Sequence, residues 1–266
     1  MVRYGMAIDA QHCLGCQTCV VACQLHNGLR PNIAWMTVEA IEWGRWPDAD
    51  RLYFPHLCLH CDAPYCVKVC PTGASYISDG GIVAIDYEKC IGCGVCISAC
   101  PYGARRINTQ DTWFFDARVP APYETGEKNR INVAEKCTFC AGRVQKGLNP
   151  ICVDSCPADI RIFGDLDNPG SKINSFIEES AAVCVPGTAV YYAQGNRDFN
   201  LASTITSSYY APLTSVRDDA AMRVSEGNPV VVGVSGIGVA AVAVSLACVA
   251  KRRMGKQRAN EPGTDK

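Results

Sequence analysis

Sixteen of the eighteen cysteines in this 266-residue chain fall into four quartets, and no other feature restricts its folding as strongly. They are Cys13, Cys16, Cys19 and Cys23; Cys58, Cys61, Cys66 and Cys70; Cys90, Cys93, Cys96 and Cys100; and Cys137, Cys140, Cys152 and Cys156. The first and third read CxxCxxCxxxC. The second widens one gap to four residues, between Cys61 and Cys66, and the fourth widens one to eleven, between Cys140 and Cys152. Pro71, Pro101 and Pro157 follow three quartets directly, whereas Gln24 follows the first. Three thiols that meet one ligand within seven residues force tight turns between them, and Gly15 and Gly92 stand in those turns, where the lack of a side chain lets the backbone approach closely.

The spacing discriminates between the uses of cysteine. A zinc site pairs two CxxC units across a longer loop and has no use for a third cysteine two residues after the second. Disulfides would send three neighbouring thiols to separate partners, in a chain read without a secretory signal peptide. A radical enzyme needs one three-cysteine site, and four complete sets stand here. CxxCxxCxxxC followed by proline is the run that holds 4Fe-4S clusters, its fourth cysteine ligating the neighbouring cluster. That cysteine is expected to begin a helical turn facing away from its own cubane, with the proline stopping an established helix. Four clusters sharing ligands imply a wire for electrons.

Formal net charge is −1, which gives no reason to expect nucleic acid. Thiolate-ligated clusters add negative charge, and Lys68, Lys89, Lys136, Arg105, Arg106 and Arg143, beside the quartets in sequence, either offset it and raise reduction potentials or are ordinary solvated charges. Tyr4 to Ile8 reads as a strand, residues 24–57, with Trp35, Trp43 and Trp46, as strand and loop, and Ile82 to Asp86 as an alternating strand between the second and third quartets. Residues 103–136 read as a long loop. The second and third quartets stand in the order of a two-cluster ferredoxin, so the first and fourth remain to pair as a second module into which the first is inserted.

The run Lys136, Cys137, Thr138, Phe139, Cys140 with Arg143, Gly147 and Pro150, then Cys152 to Pro157 and Ile162 to Leu166, resembles the fourth-cluster region of the iron-sulfur subunits of molybdopterin oxidoreductases. Tyr4 to Asp9 and the block Cys58 to Cys70 resemble that family too, and the likeness covers about residues 3–195. It implies an α+β fold of two nested, loop-rich ferredoxin-like modules with four 4Fe-4S clusters, and a catalytic partner carrying a molybdenum or tungsten pterin. The implied ligands are Cys13, Cys16, Cys19 and Cys156 for cluster 1; Cys90, Cys93, Cys96 and Cys70 for cluster 2; Cys58, Cys61, Cys66 and Cys100 for cluster 3; and Cys137, Cys140, Cys152 and Cys23 for cluster 4. Every ligand position is cysteine, so none is expected to be a three-iron cluster.

The second strong signal lies near the C-terminus. Val230 to Ala250 is a run of twenty-one residues without a charge, long enough at about 1.5 Å per residue to span the hydrocarbon core of a bilayer. Lys251, Arg252, Arg253, Lys256 and Arg258 follow, which places the C-terminus in the cytoplasm and the cluster body outside, the reverse orientation being the alternative. Gly236 with Ala240 and Ala241 with Ser245 space small residues for contact with another helix. Arg3 stands alone near the N-terminus, and the family resemblance implies export together with a partner that carries a twin-arginine signal. The chain thus divides into a cluster body over residues 1–200, with the second and third quartets inserted at about 55–105, a tether over 201–228, a transmembrane helix over 229–250 and a basic tail over 251–266.

Among the four histidines, His60 is a candidate hydrogen-bond donor to a cluster sulfur, and His12, His26 and His56 read as structural or exposed. Cys184 and Cys248 read as buried free thiols. No Ser/His/Asp set, P-loop or dinucleotide fingerprint stands in the sequence, and the resemblance implies a non-catalytic subunit that relays electrons between a molybdopterin subunit and a quinone- or haem-linked integral-membrane partner. A freestanding membrane-tethered polyferredoxin serving soluble carriers and a zinc-stabilised interaction module are the alternatives. Anaerobically purified protein is expected to contain about sixteen iron and sixteen sulfide per chain; zinc without sulfide would end the electron-transfer reading.

Overall fold

The computed structural model describes residues 2–110, 130–193 and 195. The N-terminal apolar run forms β1 (Tyr4–Asp9), where Met6, Ala7 and Ile8 are wholly buried. Burial of this kind contributes about 2 kcal/mol for each large side chain. After the first quartet come α1 (Thr18–His26) and a long hairpin of β2 (Met36–Trp43) and β3 (Asp50–Leu57). The second quartet encloses α2 (Tyr65–Lys68), and the third encloses α3 (Val95–Ser98). Between them β4 (Ser75–Ile77) pairs with β5 (Val83–Ile85), the strand expected at Ile82 to Asp86. β6 (Arg106–Ile107) pairs with β7 (Ala134–Glu135), so the expected loop over 103–136 carries short strands at its two ends. The wide gap of the fourth quartet accommodates α4 (Ala141–Val144) before α5 (Ile151–Asp154). β8 (Arg161–Asp165), α6 (Lys172–Glu179), β9 (Val183–Cys184) and β10 (Val190–Ala193) follow.

Helix lengths follow from the residue after the fourth cysteine. α2, α3 and α5 each stop after four residues, two before a Cys-Pro pair, because the proline ring clashes with the helix turn behind it and has no N–H to donate. Gln24 carries neither restriction, and α1 runs on through Cys23 to His26. The helical turn therefore lies between the third and fourth cysteines, and does not begin at the fourth as expected. The two cysteines are four residues apart, so they share a face, with the fourth displaced about 6 Å along the axis. Displacement along one face, and not rotation away from it, separates the fourth thiol from its own turn.

The four-stranded sheet has the order β8-β1-β10-β9. β1 is antiparallel to β8, with Met6 opposite Phe163, and parallel to β10, with Met6 opposite Val190. The strand before the first quartet is thereby tied to the strand after the fourth, while α1 packs on α5 and α2 on α3. Arg130 makes a further tie. It is buried, donates to the carbonyls of Asn27 (2.5 Å) and Gly28 (2.8 Å) beyond α1, pairs with Glu135 at 3.6 Å and lies over Trp35. The core that joins these elements contains Met6, Ile8, Leu29, Trp35, Phe54 and Tyr192 together with Cys19, Cys23, Cys58, Cys137 and Cys152. Thiols inside the core couple ligand binding to folding.

Among the described residues no helix is long and apolar enough to cross a membrane. The expected span from Val230 to Ala250, its tether, its basic tail and Cys248 lie outside the described residues.

Candidate functional site

All four quartets build the same turn. The residue before the second cysteine has a positive φ in each: 65° at Gly15, 45° at His60, 67° at Gly92 and 51° at Phe139. Glycine adopts this conformation freely, and at Gly92 it is required twice over, since a Cβ there would stand 2.0 Å from the Asn132 carbonyl oxygen. At the two non-glycine positions the strained residues support each other: the His60 and Phe139 rings stack with centroids 3.7 Å apart. The spacing suggested glycine turns in two quartets; the equivalent turns at His60 and Phe139 carried no glycine to reveal them.

Four groups of sulfurs result. Cys13, Cys16, Cys19 and Cys156 line one cleft beside Arg161. Cys70, Cys90, Cys93 and Cys96 line a second beside Ser75 and Ala134. Burial pushes the Cys23 thiol well up, and its neighbours Cys137, Cys152 and Cys140 push it further. Burial likewise raises Cys61, with Cys58, Cys100 and Cys66 adding to it. Each group thus joins the three leading cysteines of one quartet to the fourth of another. Neighbouring groups meet at identifiable pairs: Cys19 lies by Cys152, Cys58 by Cys137, and Cys66 and Cys96 face each other across Arg105. In order of contact the groups are those led by Cys13, Cys137, Cys58 and Cys90, an order that matches the expected clusters 1, 4, 3 and 2.

The donor chemistry of these groups fits iron-sulfur clusters. Burial pushes Cys100 and Cys152 up to about 11, so their thiolates need a strong positive partner, which iron supplies. Cys70 falls to about 7 against its burial because it accepts hydrogen bonds from Ser75 and Thr72. Several donors address sulfur: Phe139 N–H to Cys137 (3.5 Å), Ser75 N–H to Cys70 (3.5 Å), Ala134 N–H to Cys90 (3.4 Å) and Asn27 Nδ2 to Cys23 (3.4 Å). Others are buried without a partner, namely Arg105 Nε and Nη2, Arg161 Nε and the Tyr192 hydroxyl. Orphaned donors inside a protein mark a ligand or ion. A buried guanidinium without a carboxylate partner costs several kcal/mol, and cluster thiolates beside Arg105 and Arg161 would offset that cost. Among the described residues no three His, Cys, Asp or Glu side chains converge as a single metal ion needs. Two of the four sulfur groups line open clefts.

The expected cations sort into two kinds. Arg105 and Lys136 are about 1% exposed, while Lys89 pairs with Asp86 at the surface, Arg143 pairs with Asp154, Lys68 lies over Tyr65 and Arg106 donates to the Gly103 and Arg105 carbonyls. Arg161, absent from the sequence-based set, is 3% exposed and donates to Cys19 Sγ at 3.5 Å. A signal existed, for Arg105 and Arg161 are each the fifth residue after a Cys that is followed by proline, Cys100 and Cys156. His60 is buried and held neutral by burial and by the charges of Lys136 and Arg105. Its Nδ1 accepts the Val83 N–H at 3.1 Å, which assigns the proton to Nε2, a buried atom with no partner among the described residues. His12 pairs with Asp9 at the surface, His56 is buried, and Cys184 is half-buried beside Tyr191.

Comparison with known proteins agrees with this chemistry. A family model described as a 4Fe-4S dicluster domain matches residues 49–116 and again 107–166, and one described as a 4Fe-4S binding domain matches residues 10–28. The arsenate respiratory reductase iron-sulfur subunit of Shewanella sp. (strain ANA-3) is 39% identical over 205 residues, covering 66% of the present sequence and 88% of the relative. The B subunit of selenate reductase from Mesobacillus selenatarsenatis is 40% identical, covering 66% and 65%, and the B polypeptide of polysulfide reductase from Wolinella succinogenes is 36% identical, covering 66% and 83%.

The turn geometry yields a graded expectation. Gly73 also has a positive φ, 66°, but open space around its Cβ position, so Gly73→Ala should cost about 1 kcal/mol, whereas the clash at Asn132 should raise the cost of Gly92→Ala to about 3 kcal/mol or more. Chemical denaturation of the two variants, with iron content as a second measure, checks this; equal costs would show that the Asn132 carbonyl yields.

Proposed function

The protein belongs to the iron-sulfur subunits of molybdopterin oxidoreductases, and from that membership we propose that it passes single electrons between a molybdenum- or tungsten-pterin catalytic subunit and a quinone- or haem-linked partner in the membrane. It is an electron-transfer subunit without catalytic chemistry of its own. The four 4Fe-4S clusters supply reversible one-electron chemistry. The residues hold them, exclude water and set their surroundings. Cluster 1 is assigned to Cys13, Cys16, Cys19 and Cys156, cluster 2 to Cys90, Cys93, Cys96 and Cys70, cluster 3 to Cys58, Cys61, Cys66 and Cys100, and cluster 4 to Cys137, Cys140, Cys152 and Cys23; the grouping of their sulfurs supports this assignment.

One observation carries the relay. Of the sixteen cysteines only Cys16 and Cys93 are exposed, and they belong to the first and last groups of the series. Each stands next to an outward apolar side chain, Leu14 at 63% and Ile91 at 66% exposure. No cysteine of the inner groups is exposed, so electrons enter and leave at the two ends, against partners that cover these apolar rims.

Charge and hydropathy of the C-terminal stretch support a membrane-anchored subunit with its cluster body outside the cytoplasm. Protease added to intact spheroplasts should then digest the body and spare the tail; digestion of the tail alone would reverse the orientation.

The ligand assignment is tested at Cys23, more than a hundred residues from Cys137 in sequence. Cys23→Ser should damage the cluster of Cys137, Cys140 and Cys152, interrupt transfer between the ends, and leave the cluster of Cys13, Cys16 and Cys19 with all its ligands. Spectroscopy that placed the lesion at Cys13, Cys16 and Cys19 would make each quartet a closed local site and sink the nested arrangement.

A further inference from the structure

Three buried cations stand at the three places where neighbouring sulfur groups meet. Arg161 donates to Cys19 Sγ at 3.5 Å and has Cys152 on its other side, between the groups of clusters 1 and 4. Lys136 donates to the carbonyls of Val83 and Cys137, with its charge felt at both Cys137 and Cys66, between the groups of clusters 4 and 3. Arg105 donates to Ser75 Oγ at 2.7 Å, and Ser75 N–H in turn donates to Cys70 Sγ; its charge interacts with both Cys66 and Cys96, between the groups of clusters 3 and 2. Among the described residues no carboxylate pairs with any of the three. The arrangement is duplicated, since Arg105 and Arg161 hold the same position after the last cysteine of their respective modules, and Lys136 lies where the modules join.

We propose that Arg161, Lys136 and Arg105 are positioning residues for electron transfer, one fixed positive charge at each junction between neighbouring clusters. The inference rests on the four-cluster reading above. A cation favours the more negative, reduced state of any cluster beside it, and in a dry interior the effect is strong. Shared between two clusters, it raises both potentials together and leaves the difference between them unchanged. Each hop oxidises one cluster by one electron and reduces its neighbour by one, and the guanidinium groups take up no proton because they stay charged throughout.

The test is an EPR-monitored redox titration of the full chain in its membrane complex, with iron and sulfide counted on the same samples and the end clusters identified through Cys16→Ser and Cys93→Ser. Arg161→Gln should lower clusters 1 and 4, Lys136→Gln clusters 4 and 3, and Arg105→Gln clusters 3 and 2, each by about tenfold in the reduction equilibrium constant, 59 mV for a one-electron couple, with the other two unmoved. Arg161→Lys, Lys136→Arg and Arg105→Lys should restore the parent potentials. Four loaded clusters whose potentials do not move in pairs would overturn the proposal while leaving the relay intact, whereas a parent protein with fewer than four clusters would overturn the relay itself. Where a glutamine variant does not assemble, its charged counterpart must load four clusters at parent potentials; a charged counterpart that loses clusters, or shifts them as far as glutamine does, marks a packing residue and defeats the assignment.

Discussion

Everything in this molecule depends on a pair of cysteines four residues apart on a helix of about one turn. The two thiols share a face, and the rise of the helix sets them about 6 Å apart along it. A single cluster cannot be centred on both while also taking the two cysteines of the preceding turn, so the later thiol is free for a second cluster. Setting such a helix beside another, with the start of each near the end of its partner, lets the two exchange ligands. α1 packs on α5 and α2 on α3, the pairing that the proposed ligand exchange needs. The inner pair needs only the β4–β5 hairpin to connect it, while the outer pair must be closed across the whole inner module. β1 and β8 achieve the closure by hydrogen bonding residues more than 150 apart in sequence.

Electrostatics sets the second requirement. Sixteen thiols gathered into four groups, seven of them buried and only two exposed, repel one another as thiolates, and burial followed by that repulsion drives Cys23 and Cys61 upward. Backbone and side-chain N–H groups, the cations Arg105, Lys136 and Arg161, and iron together offset this. No two of these suffice. The hydrogen bonds are few, the cations would be costly to bury by themselves, and the iron needs its thiolates deprotonated. Folding, ligand deprotonation and cluster loading are therefore one coupled process, and the core that contains Cys19, Cys58 and Cys152 would be poorly packed without it.

Much of the site was legible because metal ligation is written locally. Two-residue gaps, the glycines at 15 and 92 and the prolines after three quartets all act through the backbone within one turn, and they reappear as positive φ values and as helices that stop after four residues. The direction in which the fourth cysteine leaves its turn was misjudged, since spacing alone does not show whether a helix precedes or follows it. Local signals also failed where a side chain replaced glycine. His60 and Phe139 make the same strained turn, and only their stacking against each other, from segments nearly eighty residues apart, makes the strain tolerable.

By itself the sequence determined the cofactor class and the number of clusters, because each depends on residues within a few positions of one another. The order in which the sulfur groups adjoin, the lack of an exposed cysteine in the middle two, and the choice of Arg105, Lys136 and Arg161 over the surface cations Lys89 and Arg143 were decided only by the tertiary structure. Those properties arise from contacts between distant segments, where burial strengthens some charges and water screens others, and a residue's neighbours along the chain do not reveal which of the two it meets.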